Sequence, residues 1–308
     1  MSYQLQADES VAAGVRRIML AELALARTYL TKRPSSLTED EAIHEARKCF
    51  KKLRAALRLI RNDISEAHFN QENGLIRDAS RRLSTLRDSY MLIETVDRLT
   101  QQYSSQLQPH ALTHVRQQLV SRYEQVRTEM LGNQAHIAQV VAILDDVQPR
   151  LATLPINSEG AAVWRGGLRR VYRRGRRRMA LAYDQPTTEH FHDWRKRVKY
   201  FWYHLLILQP LWQTANGPHA DGQWAEQVHL LSDYLGLEHD LAVLQDVILH
   251  EDIAAETAES NLLLALIAHE RGRLQAKARP LGETLYAATP AELVEQMVAY
   301  WHNWEQSG

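Results

Sequence analysis

A single cysteine, Cys49, stands in the 308 residues, so no intrachain disulfide can form. It sits at the edge of an amphipathic stretch and reads as a packed thiol rather than a nucleophile. Glycine and proline are few, at 13 and 9. Clusters of β-branched residues are rare, and no alternating apolar pattern is bounded by turn signals. Strands and hairpins are therefore not expected, and helices are. No run approaches the roughly 20 apolar residues that span a bilayer. The opening MSYQLQADES lacks the basic and apolar regions of a signal peptide. These absences point to a cytoplasmic protein with no membrane contact. There is no Gly-rich loop followed by Lys-Ser/Thr, and no Cys/His or Ser/His/Asp signature, so no catalytic residue is assigned. The EHFHD segment at Glu189–Asp193 suggests metal ligands. On a helix, however, His190 and His192 point roughly 200° apart, so no metal site is assigned. Net charge is also lacking: Lys plus Arg and Asp plus Glu both total 37.

What the sum hides is distribution. Basic residues crowd into Arg47–Arg61 and Arg165–Lys199. Past Gly222 the balance turns acidic, with Glu226, Asp233, Glu238, Asp240, Asp246, Glu251, Asp252, Glu256 and Glu259. In the first basic region Ile43, Ala46, Phe50, Leu53, Leu57 and Ile60 recur at steps of three and four, the buried face of a helix. His44, Arg47, Lys51, Arg54, Arg58 and Arg61 recur at the same steps one residue later, about 100° around the axis. Lys48 and Lys52 widen this basic stripe. Like charges at i,i+4, such as Arg47/Lys51 and Arg54/Arg58, each cost roughly 0.2–0.5 kcal/mol in an isolated helix. A solvated helix face is the plain explanation, but the second half of the chain argues for more.

There the pattern recurs. Phe191, Trp194, Val198, Phe201, Leu205 and Leu208 carry the apolar steps, and His192, Arg195, Lys196 and Lys199 match His44, Arg47, Lys48 and Lys51. Upstream, GVRRI at Gly14–Ile18, carrying Arg16 and Arg17, resembles GLRRV at Gly167–Val171, carrying Arg169 and Arg170. Downstream, LSTLRDSYML at Leu83–Leu92 resembles LGLEHDLAVL at Leu235–Leu244, with Asp88 opposite Asp240. So long a period excludes a solenoid unit. It fits two similar helical bundles, 1–154 and 155–308, with five helices expected in each.

The twice-occurring H-x-x-R-K-x-x-K, the R-D and L-G-x-x-H-D segments and the arginine helix GLRRVYRRGRR resemble the CHAD family (conserved histidine α-helical domain). The resemblance covers essentially the whole chain. It implies an all-α fold of two pseudo-symmetric bundles around a central basic groove. It further implies binding of inorganic polyphosphate, association with polyphosphate granules, no catalysis and no cofactor. The matching positions are Arg16, Arg17, His44, Arg47, Lys48, Lys51, Lys52, Arg54, Arg58, Arg169, Arg170, Arg173, Arg177, His192, Arg195, Lys196 and Lys199. Trp202 and Leu206 stand where the first stripe has Arg54 and Arg58, so the second stripe is shorter.

The residues themselves support an anion reading of the arginine helix, because guanidinium forks match phosphate oxygens in pairs. A membrane-surface helix is a poorer fit, since its apolar face (Val163, Leu168, Val171, Met179) is thin. Pairing of these arginines with the acidic C-terminal half is a structural alternative. Asp88 and Asp240 are expected to hold arginines internally. Nucleic acid is the alternative ligand, with Tyr172, Tyr183, Trp194, Tyr200, Trp202 and Tyr203 as stacking candidates. An accessory phosphohydrolase and a protein scaffold are further alternatives. A phosphate facing His44 and His192 would favour imidazolium, so binding is expected to be tighter at pH 6 than at pH 8, with the dependence lost when both histidines are replaced.

Overall fold

The computed structural model describes residues 2–131, 135–213, 223–250 and 257–307. Among them are twelve helices and no strand: α1 Val11–Thr31, α2 Glu39–Leu59, α3 Glu66–Arg82, α4 Ser84–Gln102, α5 Thr113–Leu131 and α6 Ala135–Ala152, then α7 Ala162–Asp184, α8 Thr188–Ile207, α9 Gln209–Gln213, α10 Gln223–His250, α11 Ala258–Leu285 and α12 Pro290–Ser307. The starts follow local chemistry. Thr38 and Glu41 form a capping box before α2, Ser10 caps α1 and Thr187 caps α8 through the His190 amide.

The all-α expectation holds, but among the described residues each half contains six helices rather than five. The stretch from Gly74 to Leu99 is not one helix. Gly74 lies inside α3, and the chain breaks at Leu83 between α3 and α4. Leu83 is fully buried and turns with φ −101° and ψ 6°. A core leucine at a break leaves no glycine or proline to read. The other additional helix is the short α9. Pro149 and Pro280 read as helix breaks in the sequence, but neither ends its helix. α6 continues past Pro149 and α11 past Pro280, because a proline costs one backbone bond that tertiary packing can offset. The expected breaks at Gly132-Asn133 and Asn216–Pro218 lie outside the described residues.

α2 and α8 pack against each other at the centre. α1 and α7 flank them, α4 and α10 lie on a further side and touch each other, and α3, α6, α9 and α12 complete the outside. The packing scheme of the first six helices recurs in the next six: α1 on α2 and α6, α7 on α8 and α12, α4 on α5, α10 on α11. Where α2 meets α8, the buried His204 ring donates from Nε2 to the Ala55 carbonyl at 2.9 Å. That bond fixes the neutral tautomer, and burial holds the ring's pKa down at about 3.

The end of α2 meets α7 through glycine. A Cβ on Gly167 would fall 1.9 Å from the Leu59 carbonyl oxygen. Gly167→Ala is therefore expected to destabilise the fold by about 1–3 kcal/mol, the range for forced overpacking. Gly272→Ala in α11, where the added methyl would meet nothing within 4 Å, should instead stabilise by about 0.5–1 kcal/mol. Chemical denaturation of the two variants checks this pair, and equal effects would contradict the close approach.

Candidate functional site

α2, α4, α8 and α10 enclose a cavity of about 400 Å³. Its walls carry His44, Arg47 and Lys51 from α2, and Arg87, Asp88, Met91 and Leu92 from α4. Across from them stand His192 and Arg195 from α8, and His239, Asp240 and Val243 from α10. The apolar stripes of α2 and α8 bury Phe50, Leu53, Trp194, Val198 and Phe201, and this turns the neighbouring basic stripes toward one space.

Like charges held together out of water should show it in their protonation, and they do. Burial, with Arg195, Arg47 and Lys199 nearby, brings the Lys51 ammonium down to about 7. Burial and Arg195 bring Lys199 to about 8, although Asp233 pulls the other way. Lys199 lies 4.1 Å from the Trp202 ring centre and 5.6 Å from that of Tyr203, so aromatic faces carry part of its charge. His44 falls to about 4 through burial and the cations Arg87 and Lys51. His192 falls to about 4 through burial, then Lys196 and Arg195. His239 falls to about 2 through burial and Arg195. His192 and His239 meet Nδ1 to Nδ1 at 3.2 Å. One must donate and the other accept, so at least one ring is neutral, and burial beside cations holds both below neutral pH.

Carboxylates stand against this charge, and Arg87 is itself paired with Glu94 at 3.0 Å. Asp88 accepts from Arg47 at 3.3 Å, the internal role expected of it. Asp240 is pushed up by burial and pulled back by Arg195 and Arg98. Among the described residues neither Lys51 nor Arg195 has an ion pair or hydrogen bond. Such an arrangement can donate to several anionic oxygens at once, and it leaves cations uncompensated in the empty state.

Not every basic residue of the two stripes reaches the cavity. Arg16 instead donates to the Leu154 carbonyl at 2.8 and 3.0 Å. Arg17 is held by Glu9 and by the Ser2 and Gln4 carbonyls. Lys52 lies 2.9 Å from the buried Glu22. These three serve the fold, because each finds a closer desolvated partner. Lys48 and Lys196 stay outside the cavity lining, bridged within their own helices to Glu45 and Asp193. Arg54 and Arg58 lie further along α2, where both donate to Asn73. Arg169, Arg173 and Arg177 are exposed on α7, with Arg170 half-buried beside them. α7 packs on α2, α8 and α12 rather than on α4 or α10, so its arginines do not wall the cavity. Arg87 and His239 also stand in the cavity wall, beyond the residues the sequence motifs single out. Their sequence signal is the R-D and H-D pairs, in which each precedes its carboxylate. Of the stacking candidates, Tyr172, Trp194 and Tyr203 are buried and offer no open face. His190 bonds the Gln185 carbonyl at 2.7 Å, apart from His192.

The fold and site define an all-helical bundle protein with a cavity among α2, α4, α8 and α10 where four cations, three histidines and two carboxylates share the walls with apolar side chains. The CHAD domain profile matches residues 21–249, and the chain belongs to the CHAD domain family. It is similar to the crystal structure of the CHAD domain from the plant Ricinus communis, with a TM-score of 0.57 and 15% identity, over 97% of this chain and 94% of that one. At that identity the likeness concerns the fold alone. No curated protein matches the chain. Among the described residues no helix is long and apolar enough to cross a membrane.

Proposed function

We propose that this protein binds inorganic polyphosphate in the central cavity, without cleaving or transferring it, and associates with polyphosphate granules. The observation that carries the reading is the convergence of Arg47, Lys51, Arg87 and Arg195 on one space, where Asp88 holds Arg47, Glu94 holds Arg87 and Asp240 faces Arg195. On this reading 1–154 and 155–308 are two versions of one cation-bearing bundle. A flexible chain of phosphates needs positive charge and N–H donors, and no stacking platform. The buried aromatics count against nucleic acid as the preferred ligand.

The test is a polyphosphate titration of the purified protein across a salt series. Affinity should fall steeply with salt, as release of condensed counterions requires. Polyphosphate should displace RNA at far lower phosphate concentration than the reverse. Equal competition would favour a generic polyanion surface, and Mg²⁺-dependent release of phosphate would replace binding with catalysis.

The pH dependence has a definite sign and a revised source. A bound phosphate favours the protonated form of each nearby base. Lys51, at about 7 when free, takes up a proton on binding above that pH, and Lys199 does so above about 8. Affinity should therefore decline between pH 7 and 9, by up to tenfold per pH unit for each proton taken up. His44 and His192, at about 4 when free, add a decline that begins at lower pH. The dependence from pH 6 to 8 should thus persist in His44→Ala/His192→Ala and shrink above pH 7 in Lys51→Arg. Binding curves at pH 5, 6, 7, 8 and 9 decide it, and a flat profile in the histidine double variant would restore those rings as its sole source.

A further inference from the structure

A second cavity, of about 860 Å³, opens at the N-terminal end of α2 and is bounded by α1, α4 and α5. It shares His44 and Arg87 with the basic cavity, but its charge is of the other sign. Glu39, Asp40, Glu41 and Glu45 from α2, Glu94 from α4 and Glu124 from α5 line it, against the guanidiniums of Arg87 and Arg127. His44, held at about 4 by burial and then by Arg87 and Lys51, adds no charge at neutral pH.

Internal ion pairs do not cancel this charge. Arg87 holds Glu94 at 3.0 Å, Arg127 holds Glu124 at 3.6 Å and Lys48 holds Glu45 at 3.0 Å. Glu39, Asp40 and Glu41 have no cationic partner among the described residues. The start of α2 accounts for Glu41, whose carboxylate closes the capping box and is held below its ordinary range by the Thr38 amide and hydroxyl. It does not account for Asp40. Asp40 Oδ2 accepts from the Tyr123 hydroxyl, while Oδ1 is buried and has no hydrogen-bond partner among the described residues. Buried acceptors are normally satisfied, and an unmet one is costly. The geometry calls for a donor from outside the chain.

Aromatic rings stand between the acids. Tyr29, Tyr90 and Tyr123 line the cavity, and the rings of Tyr90 and Tyr123 lie 5.6 Å apart at 59°. Such rings attract an ammonium over their faces and pack against methylene stems. The acids come from three helices, and among the described residues no group of three acids or histidines could hold a metal ion. Carboxylates spread in this way match a ligand whose positive charges are also spread, joined by methylenes, better than a point charge.

We propose that this acidic, tyrosine-lined cavity binds a linear aliphatic polyamine, with one ammonium donating to Asp40 and the chain running over the tyrosine rings. The site needs no ligand in the basic cavity, so it stands or falls apart from the reading of that cavity.

The experiment is calorimetric titration of the full chain with spermidine, in the absence of phosphate, for wild type, Asp40→Asn and Glu124→Gln. Asp40→Asn keeps an acceptor for Tyr123 but replaces the unmet oxygen, and it should weaken spermidine by at least about tenfold, the loss of one hydrogen bond to a charged group. Glu124 is exposed, so Glu124→Gln leaves the fold intact and supplies a second reading if Asp40→Asn folds poorly; it should give a smaller loss in the same direction. Mg²⁺ at equal charge concentration should leave most of the spermidine bound. Absence of spermidine binding by wild type, equal binding by both variants, or full displacement by Mg²⁺ would each overturn the site.

Discussion

Lys51→Gln/Arg195→Gln is expected to lower affinity for short polyphosphate by roughly two to four decades. The two residues come from opposite halves of the chain and face one cavity. Neither is held by another group among the described residues, so both are free to donate to a ligand. A hydrogen bond to a charged group is worth about 1.5–3 kcal/mol. Losing two together removes roughly 3–6 kcal/mol of binding, which gives the stated range. Glutamine at both positions removes charge that burial already disfavours, so the fold should survive. Calorimetric titration, with circular dichroism as the check on folding, reads the result. A loss under tenfold would mean that the cavity is not where the anion sits. The free protein gives an independent readout. Burial opposes the Lys51 ammonium, so its pKa in the fold is below the unfolded value. The folded state then binds fewer protons than the unfolded chain between about pH 7 and 10.5, and stability should rise with pH across that window. Lys51→Met should remove this rise and stabilise the empty protein near pH 7 by about 0.5–2 kcal/mol, the usual range when a functional strain is relieved.

The second large effect concerns folding alone. Arg150→Ala is expected to cost about 3–5 kcal/mol. Glu72 of α3 is fully buried, and Arg150 of α6 reaches it at 2.6 Å while also binding Asp146 at 2.8 Å. Removing the arginine leaves a buried carboxylate without its counter-charge. Replacing both partners, as in Glu72→Leu/Arg150→Met, should recover most of the loss, because apolar pairs of similar volume often substitute for buried ion pairs. Urea denaturation of the two variants separates the cases. If the double variant is as unstable as the single, the contribution lies in packing rather than charge.

Much of the helix plan was legible because it is local. The Thr38–Glu41 box, the apolar steps from Ile43 to Ile60 and their recurrence from Phe191 to Leu208 fall on α2 and α8 as read. The break at Leu83 was not legible, since a buried leucine continues the apolar pattern on both sides. Part of the site was legible for the same reason: His44, Arg47, Lys51, His192 and Arg195 follow from periodicity, and all five line the cavity. Arg16, Arg17 and Lys52 look like their neighbours on paper. They differ only in having Leu154, Glu9 and Glu22 within reach, and those partners are distant in sequence or beyond a turn.

The order of residues by itself determined that this chain is helical, that its cations are patterned twice in the same way, and which face of each central helix is buried. Those properties depend on steps of three and four along a backbone. Only the tertiary structure decided which cations share a space. It separated the cavity of Lys51 and Arg195 from Arg58 and the arginines of α7, because α2 and α8 cross and Gly167 lets α7 close onto the end of α2. Side-chain charge is a local property of the sequence, but the repulsion that makes it useful depends on distance in space.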